Sequence, residues 1–147
     1  MKIKEVMTKQ PTCCTPETPL EMVARMMAEC DCGAIPVVND QESLMPLGVI
    51  TDRDIVIRAL ADGQNPLELT AAACMTAPAV TIDVDSDLEE CLTHLEDKQI
   101  RRAIVIDDDG RVCGIIAPAD VAHHTPKRVV GELIERVSER VAPPPAV

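Results

Sequence analysis

Gly48-Val49-Ile50-Thr51-Asp52-Arg53-Asp54-Ile55 reads as a buried aliphatic strand that runs into the first turn of a helix. Sixty-six residues further on, Leu47-Gly48-Val49-Ile50 superposes on Cys113-Gly114-Ile115-Ile116, and Asp54 on Asp120. Upstream of this element an offset of 68 lays Met7-Thr8 on Met75-Thr76, Leu20-Glu21 on Leu88-Glu89 and Val37 on Val105. The apolar spacing is the stronger signal. Leu20, Val23, Ala24 and Met27 fall on Leu88, Cys91, Leu92 and Leu95, both at the i, i+3, i+4, i+7 spacing of one helix face. A loop shorter by two residues accounts for the change of offset, so the chain is two copies of one unit.

Each copy has the order β-α-β-β-α, an α/β (α+β) arrangement. A short extended piece (about 12–15, and 80–83) follows a turn at Pro11 or Pro78. An amphipathic helix comes next, near 19–30 and 87–98, with Thr18 and Ser86 as N-caps. Two buried strands follow, Ala34–Val38 with Leu47–Ile50 and Ala103–Ile106 with Val112–Ile116. Their loops are the polar Asn39–Ser43 and the hairpin-type Asp107-Asp108-Asp109-Gly110. A second helix closes each copy, near 52–62 with Gly63 as its stop, and near 118–124 before Pro126. The division is therefore repeat 1 over 1–63, a connector over 64–73, repeat 2 over 74–125, an added helix over 126–141 and a tail over 142–147. Val130, Leu133, Ile134, Val137 and Val141 form an apolar stripe on the added helix that covers the same chain or a second subunit.

Composition narrows the function. The chain has 147 residues and no Phe, Tyr or Trp, although 46% of it is apolar. Base stacking on aromatic rings, aromatic cages for cations and Trp anchors are excluded, and the core must be aliphatic. Fourteen Lys and Arg against 25 Asp and Glu leave a net charge of −11. Such a chain repels nucleic acid and anionic membranes as a whole, while a local Arg cluster can still hold one small anion. No run of about 18 apolar residues is present, so no spanning helix is expected. Glu5 interrupts the segment after Lys2 and Lys4, so no secretory signal is expected either. Seven cysteines without a CxxC pair read as small buried hydrophobes of a reducing cytoplasm. No His/Cys/carboxylate set has metal spacing, and no metal is expected.

Thr51-x-x-Asp54 after a buried strand supports two readings. As a capping box, Thr51 and Asp54 satisfy free backbone N–H groups and contribute about 1 kcal/mol with no ligand. As a site, a hydroxyl and a carboxylate at a helix start can meet a small polar molecule. The second copy, Ala117-Pro118-Ala119-Asp120, keeps the carboxylate without the hydroxyl. Asp120 therefore cannot be half of a Thr/Asp box, and dipole complementation and ligand binding both stay open there. Arg101-Arg102 precedes the strand Ala103–Ile106, one residue pointing to each face. The pair is either an exposed edge beside Glu96 and Asp97 or a phosphate partner.

Val6-Met7-Thr8, Met75-Thr76, Gly33-Ala34-Ile35-Pro36-Val37-Val38 and Thr51–Ile57, which reads TDRDIVI, resemble the CBS-domain family, in which two such units pair as one Bateman module. The resemblance covers residues 1–125. It implies an adenine-containing ligand (AMP, ADP, ATP, S-adenosylmethionine or NAD) in the cleft between the copies. By carry-over, Asp54 and Asp120 would bond ribose hydroxyls, and Thr51, Arg101 and Arg102 would meet phosphate. Ala117 makes the Asp120 site the poorer one. Gly33 and Ala34 would allow close approach of adenine or ribose, Arg53 would reach the same anion or stay solvated, and Thr81, aligned with Cys13, would line the cleft floor. Ile50, Ile116 and Val80 would sandwich an adenine that no aromatic ring can stack on. A homodimer formed through the helices is also implied.

Three functions follow. The first is a non-catalytic regulatory module that signals an adenosyl ligand to an effector protein, since no serine has a base beside it and the carboxylates are scattered. The second is a thiol-redox or metal protein using Cys13-Cys14, Cys30-Cys32 and His123-His124. The third is a structural assembly factor with a vestigial site.

Overall fold

The computed structural model describes residues 1–139. Val141 and the tail over 142–147 lie outside the described residues. The chain forms β1 (Thr8–Lys9), α1 (Leu20–Cys30), β2 (Ala34–Val38), β3 (Pro46–Thr51), α2 (Asp52–Ile55), α3 (Ala71–Cys74), β4 (Thr81–Asp83), α4 (Leu88–Lys98), β5 (Ala103–Ile106), β6 (Val112–Ile116), α5 (Pro118–Ala122) and α6 (Lys127–Val137). The expected helices near 19–30 and 87–98 are present within one residue. The expected strand near 12–15 is reduced to one bridge, in which Cys14 lies parallel to Val37. The second helix of the first copy also departs from a plain α-helix. After α2 it widens into a π-turn over Val56–Leu60 and stops at Gly63, whose φ of +75° places it in the left-handed region.

The second copy's sheet has the order β1-β6-β5-β4. β5 and β6 are antiparallel with Ala103 opposite Ile116, and β4 joins β5 in parallel. The first copy repeats this plan with two strands, β2 and β3, flanked by single bridges at Cys14 and Thr76. Both hairpins slip register at the same repeat position, between Val37 and Val38 and between Val105 and Ile106.

The edge strand of each sheet comes from the other copy. Thr8 of β1 pairs with Ile115, and Thr76 bridges Val49. The cores are exchanged in the same way. Ile3 and Val6 are buried with Leu88, Cys91, Leu95, Val105 and Ile116, whereas Ala71 and Cys74 are buried with Leu20, Val23, Ile35, Val37 and Ile50. A third cluster of Cys13, Val38, Ile104 and Val112 joins the copies. The segment expected as connector over 64–73 thus ends in a helical turn that belongs to the first core.

The exchange also explains a change at the helix starts. Pro19 and Asp87 occupy the N-cap positions, not Thr18 and Ser86. The Thr18 hydroxyl accepts from the Thr15 N–H at 3.0 Å. The carbonyls of Thr18 and Ser86 instead accept the N–H groups of Ala71 (2.8 Å) and Ile3 (3.1 Å), the incoming segments of the opposite copies.

The described part of the added helix packs on the second copy. Leu133 and Val137 of α6 are buried against the α4 and α5 layer, while Ile134 is exposed, so the stripe is used in part. The second helix of the first copy has no such cover among the described residues, and Val56, Ile57 and Leu60 are exposed.

Gly48 and Gly114 permit the exchange. A Cβ on Gly48 would collide with the Thr76 carbonyl oxygen, and one on Gly114 would collide with the Met7 sulfur and crowd the Thr8 carbonyl at 3.1 Å. The Met7 thioether can move aside and the Thr76 backbone cannot. Gly48→Ala should therefore cost about 2–3 kcal/mol and Gly114→Ala about 1 kcal/mol. Thermal unfolding followed by circular dichroism measures both, and equal or negligible losses would contradict the close approach.

Burial pushes the thiols of Cys13 and Cys91 up to about 11 and that of Cys14 up to about 12, from an ordinary value of 9.0. Below pH 9 these thiols are neutral in both the folded and the unfolded chain, and their contribution to stability is fully present. Above pH 9 only the unfolded chain ionises, so stability is lost as pH rises through 11 to 12. The unfolding midpoint should fall steeply between pH 9 and 10.5, and less steeply in Cys14→Ala. A flat midpoint across that range would refute the assignment.

Candidate functional site

A cleft of about 180 Å³ lies between the copies, lined by Val49, Thr51, Thr76, Pro78, Val80, Ile100, Arg101, Arg102, Ala103, Ile104 and Ile115. Four of the expected site residues, Thr51, Val80, Arg101 and Arg102, meet there. The floor is aliphatic, and the rim carries two hydroxyls and two guanidinium groups.

Thr51 and Asp54 do form a reciprocal cap. Thr51 Oγ1 accepts from the Asp54 N–H at 3.1 Å, and Asp54 Oδ2 accepts from the Thr51 N–H at 3.0 Å. The second carboxylate oxygen, Oδ1, has only a long contact of 3.4 Å from the Thr76 hydroxyl and Arg58 Nε at 4.0 Å. Half of the carboxylate is committed to the backbone and half remains available to a hydroxyl donor. Thr76, a wall of this site, was not among the expected residues, although the repeated Met-Thr pair is its signal in the sequence.

The guanidinium groups are not paired with the acids beside them in sequence. Glu96 pairs with Arg136 at 3.7 Å. Arg101 donates to the Ser138 hydroxyl at 3.2 Å, and Arg102 has no ion pair among the described residues. In a chain of net charge −11, Arg102 is a local positive charge on an apolar cleft.

Several expected residues lie elsewhere. Ile50 and Ile116 have no exposed surface and belong to the two cores. Val49 and Ile115 line the cleft in their place, because neighbours along a strand face opposite sides. Cys13 is buried in the cluster between the copies, with its thiol directed to the Pro11 carbonyl at 3.3 Å. Thr81 sits in β4 opposite Ile104, one residue past the cleft wall at Val80. Arg53 is exposed outside the cleft.

Gly33 and Ala34 are not part of the cleft lining, although Ala34 pairs with Thr51 across β2 and β3. The Gly33 carbonyl accepts the Asp52 N–H at 3.1 Å. Asp120 is held by the Ala117 N–H at 2.8 Å and the Thr8 hydroxyl at 3.0 Å. One half of the capping box therefore survives without a hydroxyl at position 117. Asp120 Oδ1 has a closer partner than Asp54 Oδ1 has.

Among the described residues the cysteines and histidines form no metal-ligating cluster. All seven cysteines are free; Cys30 is exposed, with Sγ 3.2 Å from the Thr12 hydroxyl, and burial raises the Cys32 thiol. His94 Nε2 is buried without a hydrogen-bond partner among the described residues. Among those residues, the only three His, Cys, Asp or Glu side chains that gather within ligating distance are Asp83, Asp85 and Asp108, all exposed. Carboxylate oxygens alone suit hard cations better than zinc, so the donors brought together in one chain do not fit a closed zinc site. No helix among the described residues is long and apolar enough to cross a membrane.

Comparison with known proteins bears on both site and metal. The CBS domain family matches residues 3–60 and 71–126. Hypoxic response protein 1 of Mycobacterium tuberculosis is 32% identical over 139 residues, which cover 95% of each chain. An uncharacterized protein of Methanopyrus kandleri is 35% identical over 123 residues, 84% of this chain and 59% of that protein. The crystal structure of Hypoxic Response Protein I, 35% identical, covers 86% of this chain and 100% of that one with a TM-score of 0.74, and it holds two coordinated zinc ions. That finding overturns the expectation of no metal, which rested on sequence spacing alone. A CBS domain pair from a second protein, solved with 5′-methylthioadenosine and S-adenosyl-L-methionine, is 24% identical, covers 84% of this chain and 94% of that one, and superposes with a TM-score of 0.73. Two matched repeats, the exchanged edge strands and a cleft between the copies lead to one conclusion: this chain belongs to the CBS-domain family and is a tandem pair of its repeats.

Proposed function

We propose that the chain is a non-catalytic regulatory module that takes an adenine-containing ligand (AMP, ADP, ATP, S-adenosylmethionine or NAD) in the cleft between its repeats and signals to an effector protein. The observation that carries this reading is an aliphatic cleft that brings together Thr51, Thr76 and Arg102, the last without an ion pair among the described residues, with the half-committed carboxylate of Asp54 just behind Thr51 and Thr76. Asp54 Oδ1 accepts from a ribose hydroxyl, Val49, Val80 and Ile115 flank the base, and Arg102 meets phosphate. The Asp120 side is the weaker site, since its carboxylate is already engaged by Thr8. The module acts as a homodimer, and seven unpaired cysteines suit the reducing cytoplasm.

A second reading, metal binding, has the zinc-bearing relative in its favour and the scattered donors of this chain against it. Elemental analysis of the purified protein separates the two, because stoichiometric zinc would establish it and metal-free folded protein would remove it.

Thermal-shift titration tests the adenosyl reading. A ligand at 100 times its Kd should stabilise the fold by about 2.7 kcal/mol. Circular dichroism or an external dye must report, as the chain has no Trp or Tyr. Asp54→Ala should abolish the shift, whereas Asp120→Ala should leave it largely intact. Arg102→Ala should weaken AMP about tenfold, the loss of one charge-assisted contact, and leave 5′-methylthioadenosine unchanged because it has no phosphate. If none of the adenosyl ligands moves the midpoint, the reading fails.

A further inference from the structure

We infer that Arg58 is a positioning residue of this cleft, holding the Thr76 wall against Asp54; the inference rests on the adenosyl reading for the identity of the ligand. Arg58 lies in the π-turn Val56–Leu60, four residues after Asp54. An i,i+4 Asp–Arg pair on a helix would ordinarily form an ion pair. Here that ion pair is long, with Arg58 Nε 4.0 Å from Asp54 Oδ1, and the guanidinium spends its hydrogen bonds elsewhere. Arg58 Nη1 donates to the Met75 carbonyl at 2.7 Å and to the Cys74 carbonyl at 3.2 Å.

Those two carbonyls end α3 and immediately precede Thr76. Arg58 therefore ties the second helix of the first copy to the segment that enters from the second copy. Thr76 is held on its other side by reciprocal backbone bonds with Val49, at 2.8 and 3.0 Å. Between these two restraints its hydroxyl meets Asp54 Oδ1 and its side chain walls the cleft. Since Arg58 does not clamp Oδ1 directly, it fixes the wall and leaves the carboxylate oxygen accessible.

The repeat provides an internal control. At the 66-residue offset Arg58 corresponds to His124. His124 Nδ1 contacts the Asp120 carbonyl at 3.1 Å, just past the end of α5, and no hydrogen bond ties it to the Val6 or Met7 carbonyls among the described residues. The Asp120 side thus lacks the clamp, which separates the two halves of the pair by a feature independent of Thr51 and Ala117.

Arg58→Gln, which keeps a side-chain amide but not the charge or the fork, and Arg58→Lys, which keeps the charge, test the inference. In ligand-free protein, amide hydrogen exchange over 76–80 should speed up about tenfold in Arg58→Gln, the change expected for one lost charge-assisted hydrogen bond, with exchange in α4 unchanged. AMP is the binding probe. Its affinity should fall about tenfold in Arg58→Gln at an unfolding midpoint close to that of the wild type, and Arg58→Lys should recover most of it. Unchanged exchange over 76–80, or an affinity loss that only tracks a lowered midpoint, would overturn the role of Arg58. If the wild type takes up no AMP, the adenosyl reading fails in that form, while the ligand-free exchange still decides whether Arg58 holds the wall.

Discussion

The fold depends on a reciprocal exchange, in which the opening segment of each repeat completes the last strand and the core of the other. Thr8 on Ile115 and Thr76 on Val49 are the same contact made twice. A Cβ on Gly48 would collide with the Thr76 carbonyl and one on Gly114 with the Met7 side chain, and the carbonyls of Thr18 and Ser86 accept the incoming N–H groups at equivalent positions. A sheet edge with unpaired N–H and C=O groups is a liability, and each copy removes one such edge for the other. Neither repeat has a closed core alone, since Ala71 and Cys74 fill the first and Ile3 and Val6 the second.

The candidate site is a by-product of that exchange. Thr51 and Asp54 come from the end of the first repeat, Thr76 to Val80 from the entering segment of the second, and Arg101-Arg102 from the hairpin of the second. A ligand in the cleft touches both copies. Binding there would be coupled to how the copies are set against each other. The exposed Val56, Ile57 and Leu60 lie on the helix that carries Asp54 and Arg58, so the site and an uncovered apolar face share one element.

How much of this the sequence made legible varied with the physical range of the cause. The helices and hairpins followed from local apolar spacing, and Thr51, Arg101 and Arg102, carried over from the family resemblance, line the cleft. Strand parity misled the choice of walls, because Ile50 and Val49 look alike as residues and differ only in which side of the sheet they face. Thr18 and Ser86 have the right chemistry for N-caps, but a long-range partner satisfies the helix starts in another way, and no local pattern announces it. Thr76 and Arg58 act across the repeat boundary, so their roles appear only once the two copies are assembled. The expectation of no metal rested on spacing along the chain, and it is the relative solved with two coordinated zinc ions, not a donor set in this chain, that overturns it.

Reciprocity also says what a single repeat would be. A lone unit carries one unmet donor segment and one unmet acceptor edge of matching shape, so two separate copies of it could satisfy each other by the contact that the tandem chain makes internally. Residues 61–70 turn that encounter between molecules into one within a molecule, raising the effective concentration of the partner and removing its dependence on protein abundance. Joined in one chain, the two halves need not be identical, and Thr51 and Arg58 on one side face Ala117 and His124 on the other, a symmetric frame carrying two unequal halves.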